Sequence, residues 1–374
     1  MKIGILTHYD VNNQGAQLQL YALYMFLKEH GHDPVVLTYR KNYDLKPDQE
    51  RRNQITFRSI PYVVRTFLIK KGLGLTWHNM RKYLINKKFR SQFFNYASYC
   101  LEPTDVVLVG ADEVFSLEFG VNMMMFGHGV NTKALIAYAP SMGQTDMKQI
   151  EHFHFKALMA SGLKCFYALS ARDEHTRDAI RQLTQREVDL VCDPVLLYSF
   201  DLKNVPLPDG LPKRDYMVVY SYDSRFIDEE QITAIRAYAE KHHLAVVSPG
   251  TYHRWCDYNV VCNCLSWLKC IEQAKAIVTD TFHGTIASVI TCCPMALCYS
   301  PRSNANKMMD LIKRLGLQKR LLEGMTAEHL EYLFSSEINW NEVGRLVEDF
   351  REESITYLLN GLSGDYEKAR SNES

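Results

Sequence analysis

Short apolar runs separated by polar turns begin the chain. Residues 2–7 have the pattern of a buried strand, residues 9–15 are polar, and residues 34–39 have the pattern of a second strand. Between the two strands, apolar side chains recur near the helical period, at Ala16, Leu20, Leu23, Tyr24 and Leu27. A strand, a helix and a strand in this order predict a parallel sheet with a right-handed crossover.

The same alternation resumes after residue 100. Further strands are predicted at residues 105–109, 134–139, 165–170 and 188–191. The turns that follow these strands carry polar side chains, which are Asp112 and Glu113, then Ser141, then Arg172, then Asp193. Ligands of open α/β sheets bind at the carboxyl ends of strands, so we expect chemistry at these turns.

A proline-rich segment divides the chain. Residues 205–212 hold three prolines and a glycine, which predicts a linker between domain 1–204 and domain 213–340. Helices at about residues 341–363 are expected to pack back on the first domain. The second domain repeats the alternation, with strands predicted at 216–220, 244–247, 276–279 and 295–299 and helices at 228–243 and 266–275. Two α/β domains joined in this way predict a cleft between them.

Charge and composition exclude several classes of protein. Lys and Arg number 43, as do Asp and Glu, so the formal net charge is zero. We therefore expect no nucleic-acid partner, and we interpret the basic and aromatic residues 41–100 as amphipathic helices with solvated charges. The apolar runs are too short to span a bilayer, which leaves at most peripheral membrane contact. The N-terminus lacks the pattern of a signal peptide, so the predicted location is cytoplasmic.

Ten cysteines are scattered along the chain, and they raise the question of a metal site. The densest group is Cys256, Cys262, Cys264 and Cys270. No pair of cysteines has the CxxC spacing of a structural zinc site. We therefore favour buried, reduced thiols and predict no metal.

The sharpest local motif is TDTFHGTIAS, in which a strand ends and a helix starts near Gly284. The amides of Gly284, Thr285 and Ile286 would then be unpaired at a helix N-terminus, where phosphate or carboxylate binds. Gly284 would permit close approach of the anion, and His283 at the mouth could donate a proton or bind a phosphate oxygen. The alternative is an ordinary capped helix with an exposed histidine.

The loop after the predicted strand 295–299 offers further groups for the same anion. Arg302 and Lys307 supply positive charge, and Asn304 supplies a hydrogen-bonding amide. The alternative is a surface loop with solvated cations.

Arg172 is a fourth candidate, because arginine suits bidentate recognition of carboxylate or phosphate. The alternative is an ion pair with Asp173 or Glu174. Together, positions 172, 283, 302 and 307 predict a concentrated cationic pocket that would hold a small dianion.

The first helix opens with Asn13, Gln14 and Gly15, which is neither a GxGxxG nor a P-loop pattern. Amides at this turn could bind a hydroxyl-rich ligand such as a sugar, although helix capping explains Asn13 and Gly15 almost as well. Asp112 and Glu113 could accept protons or hold sugar hydroxyls. Adjacent carboxylates usually point apart, and many are structural.

Taken together, these segments resemble the polysaccharide pyruvyl transferase family. The matching segments occur in order along most of the chain, whereas residues 41–100 carry little of the resemblance. They are KIGILTHYDVNNQGAQLQLYAL, VLVGADEVF, IAYAPSMG, LSARDEHTRDAI, CDPVLL, TDTFHGTIAS and NANKMMDLIKRLGL.

Two of these segments depart from the family pattern. Members of the family often carry Gly-Ser-Asp-Gln-Val-Trp where this chain has GADEVF, with Ala111 and Phe115 in place of Ser and Trp. A family-typical Ala-Ala-Ser is Ala-Pro-Ser here, ending at Ser141. Such changes would alter hydroxyl and stacking contacts, so they bear on the identity of the acceptor more than on the reaction.

The resemblance implies a GT-B-like architecture, with two Rossmann-like domains facing across a cleft. It implies phosphoenolpyruvate as the donor substrate, no further cofactor, and a pyruvate ketal on two hydroxyls of a sugar or lipid-linked glycan as the product. The donor would lie against the second domain, at His283, Gly284, Thr285, Arg302, Asn304 and Lys307, with Arg172 of the first domain as a further contact. The acceptor would lie on the first domain, at Asn13, Gln14, Gly15, Asp112, Glu113 and Ser141.

Two alternatives belong to other classes of protein. One is a nucleotide-sugar glycosyltransferase of the same architecture, with a pyrophosphate at the helix N-terminus. The other is a non-catalytic glycan-binding relative, which the departures at Ala111 and Phe115 would favour. The intact His-Gly turn and Arg172 favour an enzyme instead.

Overall fold

A parallel sheet forms the centre of the first half of the chain. The computed structural model describes residues 1–39, 72–118, 121–226, 228–298, 305–322 and 324–366. The strands of this sheet are β1 (Lys2–Leu6), β2 (Asp33–Thr38), β3 (Tyr96–Ser98), β4 (Thr104–Val109) and β5 (Thr132–Ala137). Within the described residues they lie in the order β3-β2-β1-β4-β5, and every neighbouring pair is parallel.

Helices connect the strands of this sheet and pack on it. They are α1 (Gln14–Glu29), α2 (Gly72–Phe93), α3 (Met147–His152), α4 (Lys156–Lys164), α5 (Glu174–Thr184) and α6 (Pro194–Leu197), with a 3₁₀ turn at Met123–Phe126. A short parallel ladder of β6 (Ser170–Ala171) and β7 (Asp189–Leu190) lies beside β5.

The strand predicted at residues 165–170 is wrong in extent. Cys165 caps the C-terminus of α4, and only Ser170 of the predicted run belongs to β6. Between them, Ala168 forms an isolated bridge with Ile136. The apolar run therefore combines a helix end with a strand start, which hydrophobicity alone does not separate.

The second half is built on another parallel sheet. Its strands are β8 (Tyr216–Tyr220), β9 (Ala245–Pro249), β10 (Tyr258–Val260), β11 (Ala276–Thr279), β12 (Met295–Cys298) and β13 (Leu321–Leu322). In the described part of the chain their order is β10-β9-β8-β11-β12-β13, again with parallel pairs. The helices are α7 (Glu229–Lys241), α8 (Cys264–Glu272), α9 (Phe282–Ile290), α10 (Ala305–Arg314), α11 (Ala327–Ser335) and α12 (Trp340–Leu362), with a 3₁₀ turn at Gln318–Arg320.

The continuous apolar runs are explained by burial on both faces of each sheet. Ile3 and Ile5 of β1 belong to a cluster with residues of α1, whereas Leu6 belongs to a cluster on the opposite face. The cluster around α1 continues into the second half, where it includes Trp267. The two halves therefore share buried apolar contacts.

The long C-terminal helix α12 lies against the first half. The Tyr357 hydroxyl donates to the carbonyl oxygen of Ala137 at 2.8 Å, at the end of β5. The amide of Cys192 donates to Ser354 Oγ at 2.8 Å. These bonds fasten the end of the chain beside the turn that carries Asp193.

Both sheets have the strand order of a Rossmann-like fold, so the predicted fold class is confirmed. Strand order reverses between β1 and β4 in the first sheet and between β8 and β11 in the second. Such switch points are where ligands of open α/β sheets bind. No helix in the described ranges is long and apolar enough to cross a membrane.

Candidate functional site

A cavity of about 400 Å³ lies where the two halves meet. The first half lines it with the turns after β1 and β4, which include His8, Asn13 and Asp112. The second half lines it with the turns after β8 and β11, which include Tyr222 and His283. The cavity is therefore formed at the switch points of both sheets, and its size suits a small ligand.

His283 enters this cavity from the first turn of α9. Thr281 is the N-cap of the helix, and its Oγ1 accepts a hydrogen bond from the amide of Gly284 at 3.0 Å. The amide of Thr285 donates to the carbonyl oxygen of Thr281 at 3.1 Å. The prediction of unpaired amides from Gly284 onward is therefore wrong, because the helix begins two residues earlier. The amides without an intrahelical acceptor are those of Phe282 and His283.

Gly284 and Thr285 lie behind this turn. Both are buried, and a β-carbon on Gly284 would stand 2.6 Å from Thr281 Oγ1. The glycine therefore permits the capping contact in this structure. The hydroxyl of Thr285 donates to the carbonyl oxygen of Thr281 at 3.0 Å. Their predicted contact with the donor stays a prediction.

A buried carboxylate stands behind His283. Asp193 Oδ2 lies 3.6 Å from His283 Nε2 and accepts a hydrogen bond from Arg172 Nη1 at 2.7 Å. Burial alone would raise the pKa of Asp193, but the nearby imidazole and guanidinium outweigh it and hold this pKa well below its usual value. Asp193 is therefore an anion beside the imidazole of His283.

Arg172 lies deeper than the sequence predicts. Only 1% of its side chain is exposed, and its guanidinium carbon lies 4.5 Å from the centre of the Phe282 ring. Its Nη2 is 3.7 Å from Asp112 Oδ1. Burial would lower the pKa of Arg172, but the negative charges of Asp193 and Asp112 have the larger effect, so this pKa is raised overall. The ion pair with Asp173 or Glu174 that we considered is replaced by one with Asp193.

Lys307 reaches the cavity from α10 and already has a counter-ion. Its Nζ lies 2.6 Å from Glu113 Oε1, and its side chain is 7% exposed. Arg172 is paired as well, with Asp193 at 2.7 Å. The prediction of a concentrated cationic pocket is corrected accordingly, because each of these cations lies beside a carboxylate. Arg302 and Asn304 lie outside the described residues.

Asp112 is one of the carboxylates with which the first half lines the cavity. Its backbone is in the left-handed region at φ 75, where few residues other than glycine and asparagine lie. Burial would raise its pKa, but the charges of Lys307, Arg172 and His283 lower it overall. Asp112 is thus an ionised acceptor of hydrogen bonds.

The other predicted acceptor residues divide between the cavity and the interior. Asn13 lines the cavity and caps α1 by accepting from the amide of Ala16 at 3.1 Å. Gln14 is fully buried and donates to the carbonyl oxygen of Cys262 at 2.9 Å, so it ties the two halves together. Gly15 packs against the ring of His283.

Ser141 is buried as well, and its contacts are structural. Its Oγ donates to Asp173 Oδ2 at 2.7 Å and accepts from the amide of Gly143 at 3.1 Å. It therefore holds the turn after β5 against the N-cap residue of α5. Its predicted contact with the acceptor stays untested.

The departures from the family pattern lie in the core. Phe115 is fully buried and stacks on Phe126, with ring centres 4.9 Å apart. Ala111 is buried, and its carbonyl oxygen accepts from Thr7 Oγ1 at 3.0 Å. The expectation that these side chains alter contacts with the acceptor is corrected, because neither lines the cavity.

The structure adds residues that we did not predict. His8 lines the cavity, with its Nε2 3.3 Å from the carbonyl oxygen of Glu113. Arg225 lies 4.8 Å from the ring centre of Tyr222 and donates to Asp280 Oδ2 at 2.6 Å. His8 follows β1, Tyr222 follows β8 and Asp280 follows β11. Their positions in the turns after strands are therefore a sequence signal that could have identified them.

The cysteine group is buried. Cys256, Cys262, Cys264 and Cys270 are free thiols, and burial raises the pKa of each. Across the ranges that the structure describes, no three His, Cys, Asp or Glu side chains come together in a way that could hold a metal.

Comparison with known proteins gives a family and a fold. The family model described as polysaccharide pyruvyl transferase matches residues 13–301. No curated protein matches the chain. A putative UDP-N-acetylglucosamine 2-epimerase from Listeria monocytogenes has a similar structure, with a TM-score of 0.54 at 9% identity over 98% of this chain and 97% of that chain. A UDP-GlcNAc 2-epimerase from Neisseria meningitidis, bound to UDP-GlcNAc, gives a TM-score of 0.48 at 11% identity over 96% and 100%. The fold is thus of the GT-B type.

Proposed function

Because the chain belongs to the polysaccharide pyruvyl transferase family, and is therefore a transferase, we propose that its donor is phosphoenolpyruvate. The pyruvyl group would pass to two hydroxyls of one sugar in a cell-surface or exopolysaccharide glycan. The products would be a pyruvate ketal and inorganic phosphate. The observation that carries this proposal is His283, backed by the Asp193 carboxylate and facing a cavity that both halves share.

His283 is proposed as the acid that starts the reaction. Its imidazolium donates a proton to the methylene carbon of phosphoenolpyruvate, and the adjacent carbon becomes an oxocarbenium-like centre. Asp193 Oδ2 lies 3.6 Å from His283 Nε2, where it would orient the imidazole, and Arg172 helps to keep Asp193 ionised. Asp193 and Arg172 are thus positioning residues. General acid catalysis of this kind contributes roughly 10²–10⁴ in rate.

The remaining steps balance without a redox cofactor. One sugar hydroxyl adds to the cationic carbon, the bond from that carbon to the phosphate oxygen breaks, and the second hydroxyl closes the ketal. The two sugar hydroxyls release one proton each. One of these protons returns to His283, and the other leaves on the phosphate. No carbon of the sugar changes its oxidation state. In the pyruvyl group the methylene carbon gains a proton, and the central carbon exchanges its bond to the phosphate oxygen for two bonds to sugar oxygens, with no net oxidation or reduction.

Lys307 is proposed to bind the donor. Its Nζ lies at the cavity beside Phe282, 5.5 Å from the ring centre, and can exchange the Glu113 carboxylate for the phosphate or carboxylate of phosphoenolpyruvate. The amides of Phe282 and His283, which have no intrahelical acceptor, would add hydrogen bonds to the same anion. Arg302 and Asn304 are kept as predicted contacts of this donor.

The acceptor is proposed to lie against the first half. Carboxylates and amides suit the hydroxyls of a sugar, and the cavity offers Asp112, Glu113 and Asn13. Glu113 would take part twice, because it would release Lys307 to the donor and then bind a hydroxyl. We propose that the reaction takes place in the cytoplasm, on a monomeric, lipid-linked or polymeric glycan.

The proposal is tested by following both products at once. The protein is incubated with phosphoenolpyruvate labelled with ¹³C at its central carbon, together with lipid-linked or polymeric glycans. We expect phosphate and a ¹³C ketal signal in equal amounts, by phosphate assay and nuclear magnetic resonance. Consumption of a UDP-sugar without use of phosphoenolpyruvate would instead identify a glycosyltransferase.

A further inference from the structure

Helix α2 exposes an apolar stripe and buries mostly polar residues. Its solvent-exposed side carries the large apolar side chains Leu73, Trp77, Met80 and Leu84, which are 73%, 60%, 47% and 55% exposed. Its fully buried residues are His78, Asn86, Phe89 and Arg90, of which only Phe89 is apolar. Helices at a protein surface normally bury their apolar stripe, so this arrangement indicates a partner for the outward face.

The exposed apolar residues form one stripe. They are spaced by four, three and four residues, so they lie along a single side of the helix. Arg81 and Lys88 border the stripe on one side and Lys87 borders it on the other, and all three are exposed. The 22 residues of α2 contain five Lys or Arg and no Asp or Glu.

The helix contacts both halves close to residues that line the cavity. Near its start, the His78 ring lies 5.5 Å from the ring of Tyr252 in the second half. Near its end, Arg90 Nη2 lies 3.3 Å from Asp10 Oδ1 in the first half. The chain neighbours of both Tyr252 and Asp10 line the cavity.

We propose that the outward face of α2 docks on the anionic surface of a lipid bilayer. Trp and aliphatic side chains insert at the level of the headgroups, and Lys and Arg beside them attract anionic lipid. The exposed cations Arg81, Lys87 and Lys88 fit an anionic surface, and the apolar stripe fits the boundary of the acyl chains. The helix lies on the membrane and does not cross it, because its buried side packs on the protein.

Docking of this kind would present the cavity to the membrane surface. A sugar carried on a lipid would then reach the cavity at high local concentration. This consequence rests on the proposed function, whereas the docking itself follows from α2 alone. The two are separated by measuring binding to vesicles without any acceptor.

Vesicle co-sedimentation of the full chain tests the proposal. The vesicles are phosphatidylcholine alone, or phosphatidylcholine with about 30% phosphatidylglycerol. One variant replaces apolar residues (Leu73→Ser, Trp77→Ser, Leu84→Ser), and another replaces cations (Arg81→Gln, Lys87→Gln, Lys88→Gln). The control variant replaces exposed apolar residues elsewhere (Leu101→Ser, Tyr332→Ser). Circular dichroism and the unfolding midpoint confirm that each variant folds.

The wild type is expected to bind the anionic vesicles at least about tenfold more tightly than the neutral ones, with binding weakened by salt. Both α2 variants should lose at least about tenfold in affinity, and the control variant should bind as the wild type does. Turnover of a soluble acceptor should not change in the α2 variants. Absence of vesicle binding by the folded wild type would overturn the proposal and point to a protein partner. Equal losses in the control variant would overturn it as well.

Discussion

The backbone of Gly15 lies directly against the imidazole of His283, so that a β-carbon on Gly15 would stand 2.5 Å from Nδ1. The two residues open helices α1 and α9, which belong to opposite halves of the chain. The position of the proposed acid therefore depends on how the two halves meet.

Gly15→Ala is expected to lower kcat by at least about tenfold, because the added methyl group displaces the His283 ring and misplaced catalytic groups lose rate steeply. Steady-state kinetics with saturating phosphoenolpyruvate measures the effect. The matched control is Gly344→Ala in α12, where an added β-carbon meets nothing within 4 Å. The control should keep its activity and gain up to about 1 kcal/mol in unfolding free energy. Equal activity of the two variants would contradict the contact.

The pKa of Asp193 predicts how stability responds to acid. Burial raises this pKa, but His283 and Arg172 lower it more, so it lies well below the usual value. Below about pH 4 the unfolded chain takes up a proton at Asp193 that the folded chain does not, and the wild type must lose stability there.

Asp193→Asn removes this pH-dependent contribution to the unfolding free energy. The variant's unfolding free energy should fall less steeply between about pH 4 and pH 3 than that of the wild type. At pH 7 it should be lower by about 3–5 kcal/mol, because buried Arg172 loses its partner. Urea titrations at each pH measure both quantities. An identical slope in the two proteins would show that Asp193 has an ordinary pKa.

Lys307→Met should raise the KM for phosphoenolpyruvate by roughly 10–100-fold, which corresponds to the loss of a charge-assisted hydrogen bond. The kcat should change less, because Lys307 is proposed to bind the donor and not to transfer a proton. Lys156→Met on the surface, where Lys156 pairs with Glu151, is the control. A normal KM in Lys307→Met would remove Lys307 from the donor site.

Phosphoenolpyruvate should stabilise the protein against heat, whereas UDP-N-acetylglucosamine should not. At a hundredfold excess over Kd, a ligand adds about 2.7 kcal/mol to the unfolding free energy. Differential scanning fluorimetry measures the shift, which should shrink in Lys307→Met. Stabilisation by the nucleotide sugar alone would favour a glycosyltransferase.

Much of the fold follows from the sequence, because buried parallel strands are apolar and their following turns are polar. This contrast predicts β1, β4, β8 and β11, and with them the edge at which His283 and Asp112 lie. The extent of β6 does not follow, because a helix end at Cys165 and the strand are equally apolar.

The pairing of charges within the site is harder to predict. Lys307 and Glu113 are 194 residues apart, and only the docking of the two halves brings them within 2.6 Å. Asp193 follows a predicted strand, but its contact with His283 depends on α9 facing the end of β7. The burial of Phe115 likewise depends on how the turn after β4 folds back on the core.

The most direct test of the central claim is the rate of phosphate release from phosphoenolpyruvate by His283→Asn, with a glycan on which the wild type turns over. His152→Asn, an exposed position on α3, serves as the control and should match the wild type. The proposed role of His283 as acid predicts a rate at least about 100-fold below that of the wild type, with the fold retained. A rate close to that of the wild type would contradict the role of His283.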